Sequence, residues 1–502
     1  RKTRSRKMKR REFCKSAFAA GSLASLPVSQ AMAAAIDAMS VLSSITATKF
    51  TGQQTVIEQA AVKELRDSLQ GQLLMPGNGA YDVARRLWNG MIDKHPALIA
   101  YCANAADIAN AVSFARDHEL LVAIKGGAHS FSGKSSCDGG LMIDLSGMKG
   151  IEVDAKNRIA RVQPGVLGGE LDVQTQLHGL AAMTGSIAHT GIAGLTLGGG
   201  LSRVSRKYGL MIDSLRSADI VTADGKHRHA SADENPDLYW ALRGGGGNFG
   251  VVTSFEYDLH PVGPEVLAGS VVYPYEQGKD LLSFYQEFAA GASDELSVTI
   301  NLGTSPEGER FVGIEMIYVG DPAAGERAIE PLRKYGRPMS DSIGLMQYNT
   351  IQTGADEALR HGLMYYLKSG FVDEFSPGLI DDLLGNLPKD AAVLVFTDLL
   401  RGAISRVGQE ETAFAHRNAF ALIGALGVWA EPAQNEANIA KVRAYYNSWH
   451  DHTIGYYANL NEESEKRTHS NYGPNYPRLV KIKNRYDPKN MFRLNANISP
   501  TT

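Results

Sequence analysis

Ile124-Lys125-Gly126-Gly127-Ala128-His129-Ser130 and Thr190-Gly191-Ile192-Ala193-Gly194-Leu195-Thr196-Leu197-Gly198-Gly199-Gly200 are the two stretches around which this chain has to fold. The first closes an aliphatic, strand-like run, Leu120 to Ile124, with a glycine turn. The second lies in a glycine-rich region that also holds Gly185 and Gly209. A third run, Trp240-Ala241-Leu242-Arg243-Gly244-Gly245-Gly246-Gly247-Asn248-Phe249-Gly250, leads into the strand-like Val251 to Tyr257. Without a Cβ, glycine lets main-chain N–H groups approach an anion, so three such loops together can cradle a pyrophosphate.

Two familiar phosphate motifs are excluded by context. Gly245 to Gly250 has the Gly-x-Gly-x-x-Gly spacing but runs into a strand, whereas a Rossmann turn leaves a strand and opens a helix. Gly133-Lys134-Ser135 imitates the end of a P-loop. Ala128 stands where its first glycine belongs, however, and the turn Cys137-Asp138-Gly139-Gly140 follows where a helix should begin.

Upstream of the first loop, Ala97 to Tyr101 reads as a short buried strand. Asn104, with Asp107 three residues on, then starts a helix whose apolar positions are Ile108, Ala111, Val112 and Ala115. Downstream, Ile151 to Val153 with Arg158 to Val162, and Ala218 to Thr222 before Asp224-Gly225, read as hairpins. Pro261 to Pro264 reads as a domain border. Beyond it, helices near 276–290, 322–335, 376–387 and 435–449 alternate with strands near 296–302, 311–318 and 391–396. That pattern predicts an α+β layer with an antiparallel sheet. Residues 34–92 are loosely patterned and are expected to wrap the surface.

Composition narrows the class. The chain has 502 residues and 52 Gly, about a tenth where roughly 7% is average. Residues 1–33 hold nine Lys or Arg against Glu12 alone, and the rest carries 42 basic against 53 acidic residues. Such a body repels nucleic acid and favours a small-molecule substrate. The basic head with Arg10-Arg11-Glu12-Phe13, the apolar Ser16 to Leu26 and Ala31-Met32-Ala33 resembles a twin-arginine signal, so export and a mature start near Ala34 are expected. Nothing later approaches the ~18 apolar residues of a membrane span. Of three cysteines, Cys14 would leave with the signal. Cys102 and Cys137 suit either a disulfide or two buried thiols, and no metal site is read.

Together the three glycine strings, with Ile143-Asp144-Leu145-Ser146, Ser205-Arg206-Lys207-Tyr208-Gly209-Leu210 and the C-terminal Phe492-Arg493-Leu494-Asn495-Ala496-Asn497-Ile498, resemble the berberine-bridge-enzyme-like branch of the vanillyl-alcohol-oxidase, or PCMH-type, FAD family. The resemblance runs from about Pro96 to Ile498. It implies an α+β fold: a two-subdomain FAD-binding domain at 93–265, a substrate domain with an antiparallel sheet at 266–454, and a segment at 455–502 that returns to the FAD domain. It also implies FAD bonded covalently to His129. The stretch Gly185-Ser186-Ile187-Ala188-His189 lacks the cysteine used for a second attachment, so the bond is single. Lys125, Gly126, Gly127, Ala128, His129, Ser130, Thr190, Gly191, Gly194, Gly198, Gly199, Gly200, Gly250, Val251, Asn495 and Asn497 are the implied cofactor-binding residues.

In the same family the Tyr-x-Asn segment, here Tyr457-Ala458-Asn459, faces the flavin, which makes Tyr457 the candidate catalytic base and its neighbour Tyr456 the second candidate. His416-Arg417 belongs to a Phe-x-His-Arg segment of structural or functional use, and Tyr365, Tyr366 and Lys368 are further candidates for the pocket. The implied activity is an oxidase that moves a hydride from an alcohol carbon of a sugar or secondary metabolite to flavin N5 and reduces oxygen to hydrogen peroxide. A dehydrogenase of the same fold and a non-catalytic flavin-binding protein are the alternatives.

Overall fold

The computed structural model describes residues 43–305, 307–390, 393–460 and 465–501, with the side chains of 465–467 left aside. The expected signal segment, Cys14, and positions 34–42 lie outside the described residues. From Ser43 onward the chain forms one compact unit built on three principal sheets.

The first is a four-stranded sheet in the order Gln72–Leu74, Leu98–Tyr101, Leu141–Asp144, Val122–Lys125. Its last three strands run parallel. The crossover between Leu98–Tyr101 and Val122–Lys125 is the helix Ala105–Asp117. Asn104 caps it by accepting the Asp107 N–H at 3.0 Å, and Ile108, Ala111, Val112 and Ala115 are buried along one stripe, as the spacing predicts. The second sheet is antiparallel, in the order His227–Ser231, Leu215–Val221, Val251–Asp258, Ile159–Val162, Ile151–Asp154. Both expected hairpins belong to it.

The third sheet has eight strands among the described residues, all paired antiparallel. At its centre, Arg310–Tyr318, Leu296–Thr304, Val393–Leu399 and Ala421–Trp429 lie side by side. Strand alternation gives this sheet two unlike faces. Val298, Ile300 and Leu302 enter a core shared with helices Gly278–Gly291, Pro322–Arg333, Pro377–Gly385 and Asn435–Trp449. The intervening Ser297, Thr299 and Asn301, with Phe396 and Asp398 of the neighbouring strand, point to the opposite face and line a cavity.

The described part of 34–92 is exposed or half-buried over most of its length, but it is more regular than its loose patterning predicts. It holds strands Ile45–Thr48 and Gln54–Ile57, the helix Gln59–Ser68 and fully buried Trp88 and Asn89, which anchor it to the body. Cys102 and Cys137 are both free and buried. Burial raises both thiols, Cys137 to about 12, which leaves them protonated and inert.

The C-terminal segment clamps the third glycine run. Asn248 donates to the Ala496 carbonyl at 3.0 Å and accepts the Ile498 N–H at 3.1 Å, while Tyr472 donates to the Ala496 carbonyl at 2.8 Å. Lys483, fully buried, pairs with Asp487 at 2.7 Å and donates to the Asn248 carbonyl. Arg417, also fully buried, grips Asp213 with two bonds of 2.7 Å and joins the third sheet to the loop that follows Gly200. Removing one partner of such a pair leaves the other charge unpaired and costs about 3–5 kcal/mol. Arg417→Met should therefore lower the urea midpoint by the equivalent of that amount, and an unchanged midpoint would show that the pair adds nothing.

Candidate active site

A cavity of about 460 Å³ opens between the glycine loops and the polar face of the third sheet. Its floor is main chain. A Cβ on Gly127 would stand 2.4 Å from both Cα and N of Gly191, and one on Gly191 would stand 2.4 Å from the Gly127 nitrogen. The first two glycine loops therefore touch backbone to backbone, at a distance that no other residue pair allows. Ala128, next to His129, holds φ at +60°, in the left-handed region that costs a non-glycine residue about 1–2 kcal/mol.

Gly126, Gly127, Ala128, His129, Ser130, Thr190, Gly191, Gly194, Gly250, Val251, Asn495 and Tyr457 all line the cavity. The remaining expected residues do not. Lys125 turns into the protein, where Nζ donates to Asp144 at 3.0 Å and to the Ala84 carbonyl at 2.6 Å. The absent Cβ atoms of Gly198, Gly199 and Gly200 make room for Asn459, Phe414 and Met211, so these glycines seat neighbouring segments against the loop. Asn497 donates to Ser499 at 3.1 Å. Tyr456 turns the other way from Tyr457, as successive residues of an extended segment do, and bonds to His450 at 3.0 Å. Tyr365 packs flat on Trp88, Tyr366 accepts a bond from Arg443, and Lys368 lies over the Tyr366 ring, all outside the lining.

His129 is held by aromatic packing. Its ring stacks on Trp88 with centroids 4.0 Å apart and planes 16° apart, and Trp88 stacks in turn on Tyr365 at 3.6 Å. The Trp88 indole N–H donates to the Leu359 carbonyl, and Asn89 bonds the main chain of Phe131 and Tyr365. His129 Nε2 lies 3.1 Å from His189 Nδ1. Burial first, then the neighbouring His189 and His361, lower its pKa to about 3, so the imidazole is neutral across the physiological range. Trp88 and Asn89 had no sequence signal, because their partners are far away in the chain and the segment around them has no period.

At the far wall, the Tyr457 hydroxyl accepts bonds from the Gly200 N–H and the Asn459 amide, both at 3.0 Å. Burial nevertheless raises it to about 12. Asp398 faces the same cavity. Its side chain is half-buried in the cavity wall. Burial raises its carboxyl to about 6, with the Arg203 charge pulling down and Glu315 pushing up. Arg203 and Glu315, themselves an ion pair, also line the wall. Asp398 went unremarked in the sequence: one acid in a short alternating strand looks like a solvent-facing position.

A family model described as a FAD binding domain matches residues 96–231, and one described as berberine and berberine like matches residues 456–499. A FAD-linked oxidoreductase of Dictyostelium discoideum is 33% identical over 451 residues, covering 88% of this chain and 97% of the relative. The chain belongs to the berberine-like FAD-linked oxidoreductases. (R)-6-hydroxynicotine oxidase of Paenarthrobacter nicotinovorans is 30% identical over 450 residues, 86% of this chain and 97% of that one. The solved structure of 6-hydroxy-D-nicotine oxidase from Arthrobacter nicotinovorans superposes with a TM-score of 0.80 at 30% identity, covering 86% of this chain and 98% of that chain. Xylooligosaccharide oxidase of Myceliophthora thermophila, 23% identical with a TM-score of 0.79 and covering 88% and 100% of the two chains, shares the fold.

This enzyme is thus a FAD-dependent oxidoreductase, and its glycine floor fits the cofactor: main chain that excludes any Cβ lies along a cavity that also reaches His129. No helix among the described residues is long and apolar enough to cross a membrane, and none of them group into a metal cluster. Overpacking costs about 1–3 kcal/mol, so Gly127→Ala, which must part the loops, should weaken FAD binding roughly 10- to 100-fold. Flavin per chain after purification measures this against Gly385→Ala, where nothing lies within 4 Å. Equal flavin content in both variants would contradict the floor.

Proposed function

We propose that this enzyme is an oxidase of alcohol-bearing small molecules, sugars or secondary metabolites, with FAD tethered by one bond to His129 and oxygen as electron acceptor. When bound, FAD supplies N5 as the hydride acceptor and carries the electron pair on to oxygen, which leaves as hydrogen peroxide. Residues 93–265 hold the cofactor, 266–454 supply the substrate wall, and 455–502 close the site with Tyr457. A neutral His129 in the cavity wall suits the tether, because only an unprotonated imidazole nitrogen is a nucleophile.

The observation that carries the proposal is the pairing of Asp398 with Tyr457 in one cavity. Hydride departure from an alcohol carbon requires that the hydroxyl lose its proton. A phenol at about 12 holds its own proton near neutrality, whereas a carboxylate at about 6 is ionised there and still basic enough to accept one. Tyr457 orients the substrate hydroxyl and Asp398 stores the proton. The polar row Ser297, Thr299 and Asn301 favours a polyhydroxylated substrate, consistent with a relative named chitooligosaccharide oxidase from Gibberella zeae, 28% identical over 447 residues, 82% of this chain and 89% of that one.

The active form of Asp398 is its base, so anaerobic flavin reduction should rise with pH through about 6 and level off above. Removing a general base costs about 10²- to 10⁴-fold, so Asp398→Asn should slow reduction by that order and erase the pH step while FAD stays bound. Tyr457→Phe should slow it too but keep the step. If neither variant slows reduction, the proton acceptor is another group.

Export through the twin-arginine route is proposed from Arg10-Arg11 and the apolar run behind them. Replacing both arginines with lysine should leave the protein inside the cell, and unchanged export would exclude the route.

A further inference from the structure

The polar face of the third sheet continues past the Arg203–Glu315 pair. Beyond the pair lies a second cavity of about 400 Å³, and Arg203, Asn301 and Glu315 line both cavities. Its floor runs across strand Arg310–Tyr318 to strand Glu265–Pro274. Its other side is the short helix Tyr348–Gln352 and the turn after it, through Thr350, Ile351 and Gly354.

The register shows how the two cavities join. Asn301 pairs with Phe396 on one side and with Gly313 on the other, and Gly313 pairs with Val272. Two residues along, the same face presents Asp398, Thr299, Glu315 and Ser270 as one row across four strands. Neighbouring strands lie about 4.8 Å apart, so Glu315 stands about 10 Å and Ser270 about 14 Å from Asp398 along the row. In the adjacent row Gly313 leaves a trough, where an added Cβ would meet nothing closer than Asn301 and Phe311 at 3.8 Å. The half-buried Phe311 ring lies beside this trough, over Gly303.

The chemistry of the lining selects the ligand. The inner cavity has to take the flavin ring and the reacting carbon together, so the rest of a larger substrate extends along the row. Among the described residues the outer lining carries two charges, Arg203 and Glu315, and these pair with each other. The remainder is hydroxyl, amide and apolar, which suits a neutral group with hydroxyls at its edge and an apolar face. A sugar ring is such a group: its hydroxyls meet Arg203, Glu315 and Asn301, and its C–H face meets Phe311. Rings in a sugar chain advance by about one strand spacing each, so a bound chain keeps step with the row.

From this we infer that the outer cavity is a subsite for the second and third rings of a neutral oligosaccharide whose first ring is oxidised beside Asp398. The inference rests on the sugar reading of the site proposed above. Arg203, Glu315 and Phe311 then set the preference for chain length, because contacts remote from the reacting carbon raise kcat/KM.

The test follows anaerobic flavin reduction by the full-length, flavin-loaded enzyme with one-, two- and three-ring members of the cellulose, xylan and chitin series. A hydrogen bond to a charged partner corresponds to roughly 10- to 100-fold in affinity, so kcat/KM should rise by that factor from one ring to three in the series that bleaches the flavin. Trigalacturonate, with a charge on every ring, should show no such gain over galacturonate. The three-ring to one-ring ratio is compared between variants, since any loss of folded or flavin-loaded enzyme cancels from it. Gly313→Leu fills the trough and should bring the ratio close to unity. Phe311→Ala removes the apolar platform without filling the trough and should lower the ratio part-way. A wild-type ratio of unity, an equal gain for trigalacturonate, or a wild-type ratio kept by either variant overturns the inference and leaves the sugar reading standing. If no member of these series bleaches the flavin, single rings included, the sugar reading falls and the inference with it.

Discussion

The contact of Gly127 with Gly191 is the constraint on which the site depends. Two main chains meet at a distance that leaves no room for a Cβ on either side; one follows a strand of the first sheet and the other opens a helix. The loop after Val122–Lys125 carries His129 and the loop before Ile192–Leu197 carries His189, so this contact brings the two imidazoles together. It also sets the floor along which a pyrophosphate and its attached ring system can lie, with N–H groups available and no side chain in the way. The left-handed Ala128 is what turns His129 out of the strand direction and into the cavity wall.

The opposite wall follows from a different rule. A strand buried on one face by helices must present its other residues elsewhere, and in the third sheet those residues are Ser297, Thr299, Asn301 and Asp398. Alternation alone therefore delivers a row of hydroxyl, amide and carboxyl groups to the cavity. The Arg203–Glu315 pair crosses from the glycine loops to this sheet and Arg417–Asp213 does the same deeper in, so the floor and the wall are held in register by charge as well as packing.

Much of this was legible in the sequence, and what was missed has a common cause. The glycine loops, the Asn104 cap and the four helices of the third layer all depend on neighbours within a few residues, and local chemistry announces them. Strands Met364–Val372 and Ala421–Trp429 escaped because nearly every position is buried, which removes the alternation that marks a strand. Trp88 and Asn89 escaped because their partners, His129 and Phe131 on one side and Leu359 and Tyr365 on the other, come from two distant parts of the chain. Lys125 was misjudged for a related reason: it is followed at once by the glycine turn, yet the parallel strand Leu141–Asp144 offers Asp144 to pair it inside the sheet. Asp398 acquires its raised pKa only from the cavity built around it.

The site is built for a flavin that takes electrons from an alcohol and gives them to oxygen, and both halves of that transfer can be followed in the flavin absorbance. Under anaerobic conditions, purified protein should lose its oxidised flavin absorbance when mixed in turn with members of a panel of sugars and aromatic alcohols. On admitting air, the absorbance should return with one hydrogen peroxide released per flavin. Bleaching without peroxide on reoxidation would make the enzyme a dehydrogenase, and a flavin that no alcohol bleaches would contradict the account altogether.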